Sequence, residues 1–240
     1  MLSFIFLVFA LIHLSLWLWG WQAWSRAGRP VALFLVLFAS TLLWWDNFRI
    51  GAGRFIGEGE LLKAMTWPAF AWHWSLLPLL IIAAGSIARL AGFGWAQKRW
   101  VMGGFCLVAV ALSILDIPKI FSLELHAACV ADTLRYSNGV SAAQLCSPDA
   151  QVVQGDGAAL VAILCNLVVL GVGIAIWVRH RWPWMALGAG AMFICAGAFG
   201  GSYYALPISN FGEILITGGL IATALHFARH PVQRAVPVPA

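Results

Sequence analysis

Apolar positions along the chain gather into seven long runs separated by polar connections. They lie near residues 2–24, 31–50, 68–91, 100–118, 158–178, 183–200 and 209–228. A helix crosses a hydrocarbon core with about 20 residues at about 1.5 Å rise each, so these runs predict an all-α, polytopic membrane protein with a seven-transmembrane-helix bundle. The sixth and seventh runs are short and glycine-rich, and the seventh admits Glu213 near its start. A six-helix count would move the C-terminus to the other side. The first run is not a signal peptide: it has no basic start, and Trp17, Trp19, Trp21 and Trp24 stand where small cleavage-site residues belong.

The polar connections differ in length. Those at Ser25 to Pro30 and Arg179 to Trp182 are short, whereas residues 51–67 and 121–157 read as long loops on the opposite side. Loops of that size act as lids or binding loops, or are linkers. Within Phe121–Tyr136 the apolar spacing predicts a short interfacial helix. Residues 229–240 are proline-rich and predict a disordered cytoplasmic tail after the single membrane domain of residues 1–228.

Composition agrees with the pattern. Hydrophobic residues make up 62% of the chain and charged residues 10%, with a mean hydropathy of +0.89, against about 25% charged in soluble domains. The net charge of +5 does not suggest nucleic acid, because the basic residues sit in short clusters between apolar runs. Those clusters orient the chain. With the N-terminus outside and the C-terminus cytoplasmic, the inner side holds Arg26, Arg29, Arg89, Lys98, Arg99, Arg179, Arg181, Arg229 and Arg234, and every acidic residue falls outside. This predicts a multi-pass protein of the plasma membrane, or of the bacterial inner membrane. Cys129 and Cys146 share the outer loop, where an oxidising compartment permits a disulfide.

Ionisable groups in membrane spans are costly and are functional candidates by default. Asp46 and Asp116 lie about 24 Å up helices 2 and 4 from their inner ends, and His73 and Glu213 lie within about five residues of the outer starts of helices 3 and 7. The four form a catalytic acid-base candidate in one outer layer. Asn47, Arg49, Arg54, Lys119, Tyr203, Tyr204 and Asn210 surround that level as candidate ligand-binding groups. Asp46 with Arg49 and Asp116 with Lys119 repeat an acid and a base at i, i+3, where they share a helix face. The alternative for the same side chains is that they snorkel to the head groups. A metal would need His73 with two or three of Asp46, Asp116 and Glu213, and no ligand spacing supports one. A haem between His13 and His73 is opposed by a depth difference of about 8 Å. No cofactor is identified.

His226-Phe-Ala-Arg-His230 resembles the last-helix motif of the seven-helix alkaline ceramidase and progestin-receptor hydrolase superfamily, but no Ser-x-x-x-His occurs in helix 2. Retinal proteins are excluded, because Lys63, Lys98 and Lys119 are the only lysines and none lies in the last helix. Membrane-integral terpene cyclases are similar in architecture alone. The leading expectation is an enzyme with an outward-facing polar pocket, acting on a lipid or isoprenoid ligand from the bilayer. A transporter or receptor using the same pocket is the second, and a non-catalytic subunit packed against partner membrane subunits the third.

Overall fold

The computed structural model describes residues 1–155, 159–198 and 204–230. It is mostly helical: α1 (Leu2–Arg26), α2 (Val31–Ala39), α3 (Leu43–Ile56), α4 (Glu60–Leu76), α5 (Leu79–Leu90), α6 (Gly94–Gln97), α7 (Arg99–Phe121), α8 (Leu160–His180), α9 (Trp184–Gly197) and α10 (Ala205–Arg229). Between α7 and α8, β1 (His126–Val130) and β2 (Thr133–Ser137) form an antiparallel hairpin. Among the described residues, five helical stretches are long and apolar enough to cross a membrane: α1, α2 with α3, α7, α8 and α10. A sixth is the pair α4 and α5, bent by 48°. The sixth apolar run becomes α9, whose 14 residues fall short of a full crossing.

Two of these apolar stretches are interrupted, each for a local reason. Between α2 and α3 the Ser40 hydroxyl donates to the Val36 carbonyl at 2.8 Å and the Thr41 hydroxyl to the Leu37 carbonyl at 3.0 Å. Such back-bonding competes with the helical ladder and bends it. Between α4 and α5, Pro78 supplies no N–H, and the Ser75 carbonyl accepts a bond from the Ser113 hydroxyl of α7 at 3.2 Å. Freed backbone groups are tolerated at membrane depth when neighbours or a cavity satisfy them.

The main core lies where α2, α5, α8, α9 and α10 meet, around Leu33, Ile87, Ile176, Met185 and Leu220. Close approach there depends on small residues. A Cβ at Gly188 would meet the Leu215 carbonyl oxygen at 2.5 Å, and one at Gly219 the Trp184 carbonyl oxygen at 2.4 Å. This is how α9 and α10 pack backbone to backbone without a hydrophobic force between them. Large apolar side chains such as Leu11, Leu107, Ile114 and Val178 point outward, as a lipid-facing surface requires.

Two loop expectations are corrected. Residues 51–67 are not a loop: α3 continues to Ile56 and α4 begins at Glu60, with a turn at 57–59 where Gly57 adopts φ +84°. The charged residues Arg54, Glu58, Glu60 and Lys63 end the apolar run but not the helices, which extend to carry the hairpin. The interfacial helix expected within Phe121–Tyr136 is replaced by the hairpin. Val130 pairs with Thr133 around the two-residue turn Ala131-Asp132, and Ala131 takes the positive φ of 51° that such turns use. The Cys129–Cys146 disulfide ties β1 to the loop that follows. Tyr203, Asp156 and residues 231–240 of the expected tail lie outside the described residues, while Arg229 at the start of that tail still belongs to α10 and His230 caps it.

Candidate functional site

A cavity of about 600 Å³ opens among α2, α4, α5, α8, α9 and α10. Its walls are mainly apolar, from residues such as Val36, Leu77, Val169 and Met192, and both interrupted stretches border it: Ser40 and Leu43 at one, Leu77 and Leu80 at the other. An imidazole and a carboxyl group line it, His73 from α4 and Glu213 from α10, together with the Cys165 thiol of α8. Ser40, Asn166, Ser209 and Thr217 add polar groups.

Local packing sets His73. Trp72 donates its indole N–H to the Phe38 carbonyl at 3.2 Å, Trp45 donates to the Met65 carbonyl at 2.9 Å, and Trp74 stacks edge-on against Phe70. These contacts fix the rotation of α4 against α2 and α3, and the residue between the two tryptophans turns to the cavity. Glu213 enters from the closely packed side, one residue after Gly212, where a Cβ would meet the Met192 sulfur at 2.9 Å. Its Oε2 is enclosed and has no hydrogen-bond partner among the described residues.

The two aspartates sit differently. Asp46 Oδ1 accepts from Arg49 Nε at 2.9 Å and from Arg49 Nη2 at 2.5 Å. Arg49 is 3% exposed, and its Nη1 also donates to the Thr66 hydroxyl at 3.3 Å and the Tyr136 carbonyl at 3.4 Å. This one side chain therefore ties α3, α4 and β2 together. Asp116 accepts from Lys119 at 2.7 Å on α7. Neither aspartate lines the cavity, but Asp46 is within electrostatic reach of His13, His73 and Glu213, and Asp116 within reach of His73.

The surrounding candidates mostly hold the fold. Asn47 and Asn210 donate to the carbonyls four residues back, Leu43 and Leu206, at 2.9 Å each, and leave their side-chain oxygens enclosed without a partner. Arg54 pairs with Asp132 at 2.6 Å, and Tyr204 is 60% exposed at the start of α10. Asp132 caps the arrangement: its carboxylate accepts from the N-terminal ammonium, from the Leu2 N–H and from Arg54, which together hold its pKa well below the ordinary carboxylate value.

Depth counting did not find Ser40, Asn166, Ser209 or Thr217, because hydroxyls and amides cost too little in an apolar run to stand out. Arg135 of β2 does not stand out either, because the apolar spacing of its segment predicts a helix at the surface. The adjacent Ser40-Thr41 pair inside an apolar run was the available signal for the first of these. Comparison of the chain with protein-family models, with curated proteins and with solved structures finds no match.

Proposed function

We propose that this chain is a membrane-embedded enzyme that takes an amphiphilic lipid or isoprenoid into the cavity and performs acid-base chemistry with His73 and Glu213. The observation that supports it best is the pairing of an apolar cavity of about 600 Å³ with two ionisable groups from different helices, one of them an enclosed carboxylate without a partner. An apolar pocket with a few convergent polar groups is the usual form of a small-molecule site. Within this reading, His73 and Glu213 exchange protons with the substrate, and Asp46 and Asp116 act on His73 through their charge from outside the cavity. Asp46 positions Arg49, and Asp116 holds Lys119, so both serve as supporting charges.

The reading includes seven crossings, with α9 as a short sixth one, the hairpin outside and the C-terminus inside the plasma membrane. The basic clusters favour that orientation, and the disulfide on the hairpin suits an oxidising side. A transporter is the second reading, favoured by the bent pair α4 and α5 at the cavity, since many transporters build their sites from such broken helices.

The test is turnover of membrane lipid and isoprenoid extracts by the purified chain, followed by mass spectrometry. His73→Gln and Glu213→Gln are each expected to lower product formation by about 100-fold or more, the usual scale of a general acid or base. Full turnover in both variants overturns the acid-base reading. Saturable flux into vesicles without any product selects the transporter instead.

A further inference from the structure

Arg135 is a charged side chain that neither the fold nor the acid-base pair accounts for. It lies on β2 beside Tyr136, whose carbonyl accepts a bond from Arg49. It is 9% exposed, its Nε has no hydrogen-bond partner, and among the described residues it makes no ion pair. Arg49, Arg54, Lys63 and Lys119, the other long cations near this end, each hold a carboxylate.

The charged groups that act on Arg135 are Arg49 and Asp46. Asp46 is already engaged by Arg49 through two hydrogen bonds to one oxygen. Arg135 therefore has no carboxylate of its own, because the acid that acts on it is held by Arg49. A buried lysine could shed its proton under these conditions, but arginine stays charged. Burial, then the Arg49 charge, push the Arg135 pKa down only to about 10. A buried cation of this kind is costly unless an anion completes it. Asp46 is also the charged neighbour of His73 and Glu213. Neither guanidinium lines the cavity itself: Arg49 lies six residues, about 9 Å of helical rise, beyond the cavity-lining Leu43 along α3, on the way to the hairpin it bonds at Tyr136.

We infer that Arg135, together with Arg49, holds the anionic head, a phosphate or carboxylate, of an amphiphile whose apolar part occupies the cavity. The inference rests on the cavity reading and specifies the class of its ligand. A guanidinium fork matches two oxygens of such a head at once, which sets the head against the hairpin and leaves the apolar remainder beside His73 and Glu213. The hairpin then serves as part of the binding site as well as a cover.

The test uses the full chain in a neutral detergent at neutral pH and measures binding of dodecyl phosphate, dodecanol and inorganic phosphate. Dodecyl phosphate is expected to bind about 10- to 100-fold more tightly than dodecanol, the scale of a hydrogen bond to a charged group. Arg135→Gln should remove that preference while dodecanol binding persists, which also shows that the variant is folded. Arg135→Lys should keep part of the preference, because it keeps the charge and loses the fork. Equal binding of the two amphiphiles by the unmodified chain, or an unchanged preference in Arg135→Gln, overturns the inference and leaves the cavity reading standing. Inorganic phosphate binding as tightly as dodecyl phosphate overturns the link to an amphiphile and indicates a free-anion site. Failure of both amphiphiles to bind overturns the inference and the cavity reading together.

Discussion

At the hairpin end of the bundle, Arg49, Arg54, Lys63 and Lys119 each reach a carboxylate at 2.5 to 2.9 Å. At the opposite end Arg29, Lys98 and Arg179 lie over the rings of Trp24, Trp100 and Phe93, with 4.9 to 5.8 Å to the ring centres, a contact that Arg49, Arg54 and Lys63 make in addition to their carboxylates. Among the described residues no ion pair forms there. The same residue types therefore do different work. Cations without acids rest on interfacial aromatics and bias the orientation of the chain, a role that depends on net count more than on geometry. Cations with acids join specific elements: Arg49 links α3, α4 and β2, and Arg54 reaches across to the hairpin turn. Arg135 breaks the rule of its own end, and for that reason its missing anion carries meaning.

The contrast is broken most severely at Asp46. Asp46→Ala leaves Arg49 buried without its carboxylate and should cost about 3–5 kcal/mol, the usual result of removing one partner of a buried pair. Chemical unfolding in mixed micelles checks it. A loss within experimental error would mean that Arg49 has ready access to water, and the hairpin-end network would then be incidental.

A smaller effect is expected from the hairpin's covalent tie. Replacing Cys129 and Cys146 together by Ser opens a loop of sequence separation 17 and should cost about 2–3 kcal/mol. That loss should be local. Hydrogen exchange should accelerate in β1 and β2 and stay slow in α8, α9 and α10, whose packing rests on their own close contacts. Equal acceleration in both regions would show that the hairpin and the helical core unfold as one unit.

The smallest effect belongs to the opposite end. Arg29→Ala and Arg179→Ala should each change stability by less than about 1 kcal/mol, because exposed cation–π contacts are weak. A cost equal to that of Asp46→Ala would erase the distinction between the two ends. Removing several of these cations should instead alter insertion, which labelling of introduced cysteines at positions 27 and 152 reads directly. Labelling of both from the same side would exclude the seven-crossing arrangement.

Much of the architecture was legible in the chain itself, because membrane helices are written locally. An apolar run of sufficient length satisfies its own backbone and needs no distant partner, so each of the seven runs corresponds to helix in the structure. The i, i+3 pairs Asp46 with Arg49 and Asp116 with Lys119 are local for the same reason, since helical geometry alone brings them together. The presence of His73 and Glu213 at comparable depths could also be counted from helix ends. What each group faces is a tertiary matter. His73 and Glu213 share a cavity because Trp72 and Trp45 set the rotation of α4 and because glycines let α9 and α10 close together, and no run length records a rotation. The hairpin likewise depends on pairing between strands and on where α3 and α4 end. Hydrophobicity marks the last apolar residue, whereas the helix stops only where its backbone finds a cap, as at Gly57. The placement of Arg135 is the clearest case: its sequence neighbours suggest a helix at the interface, and only the docking of β2 on α3 and α4 takes its charge away from water and leaves it without an acid.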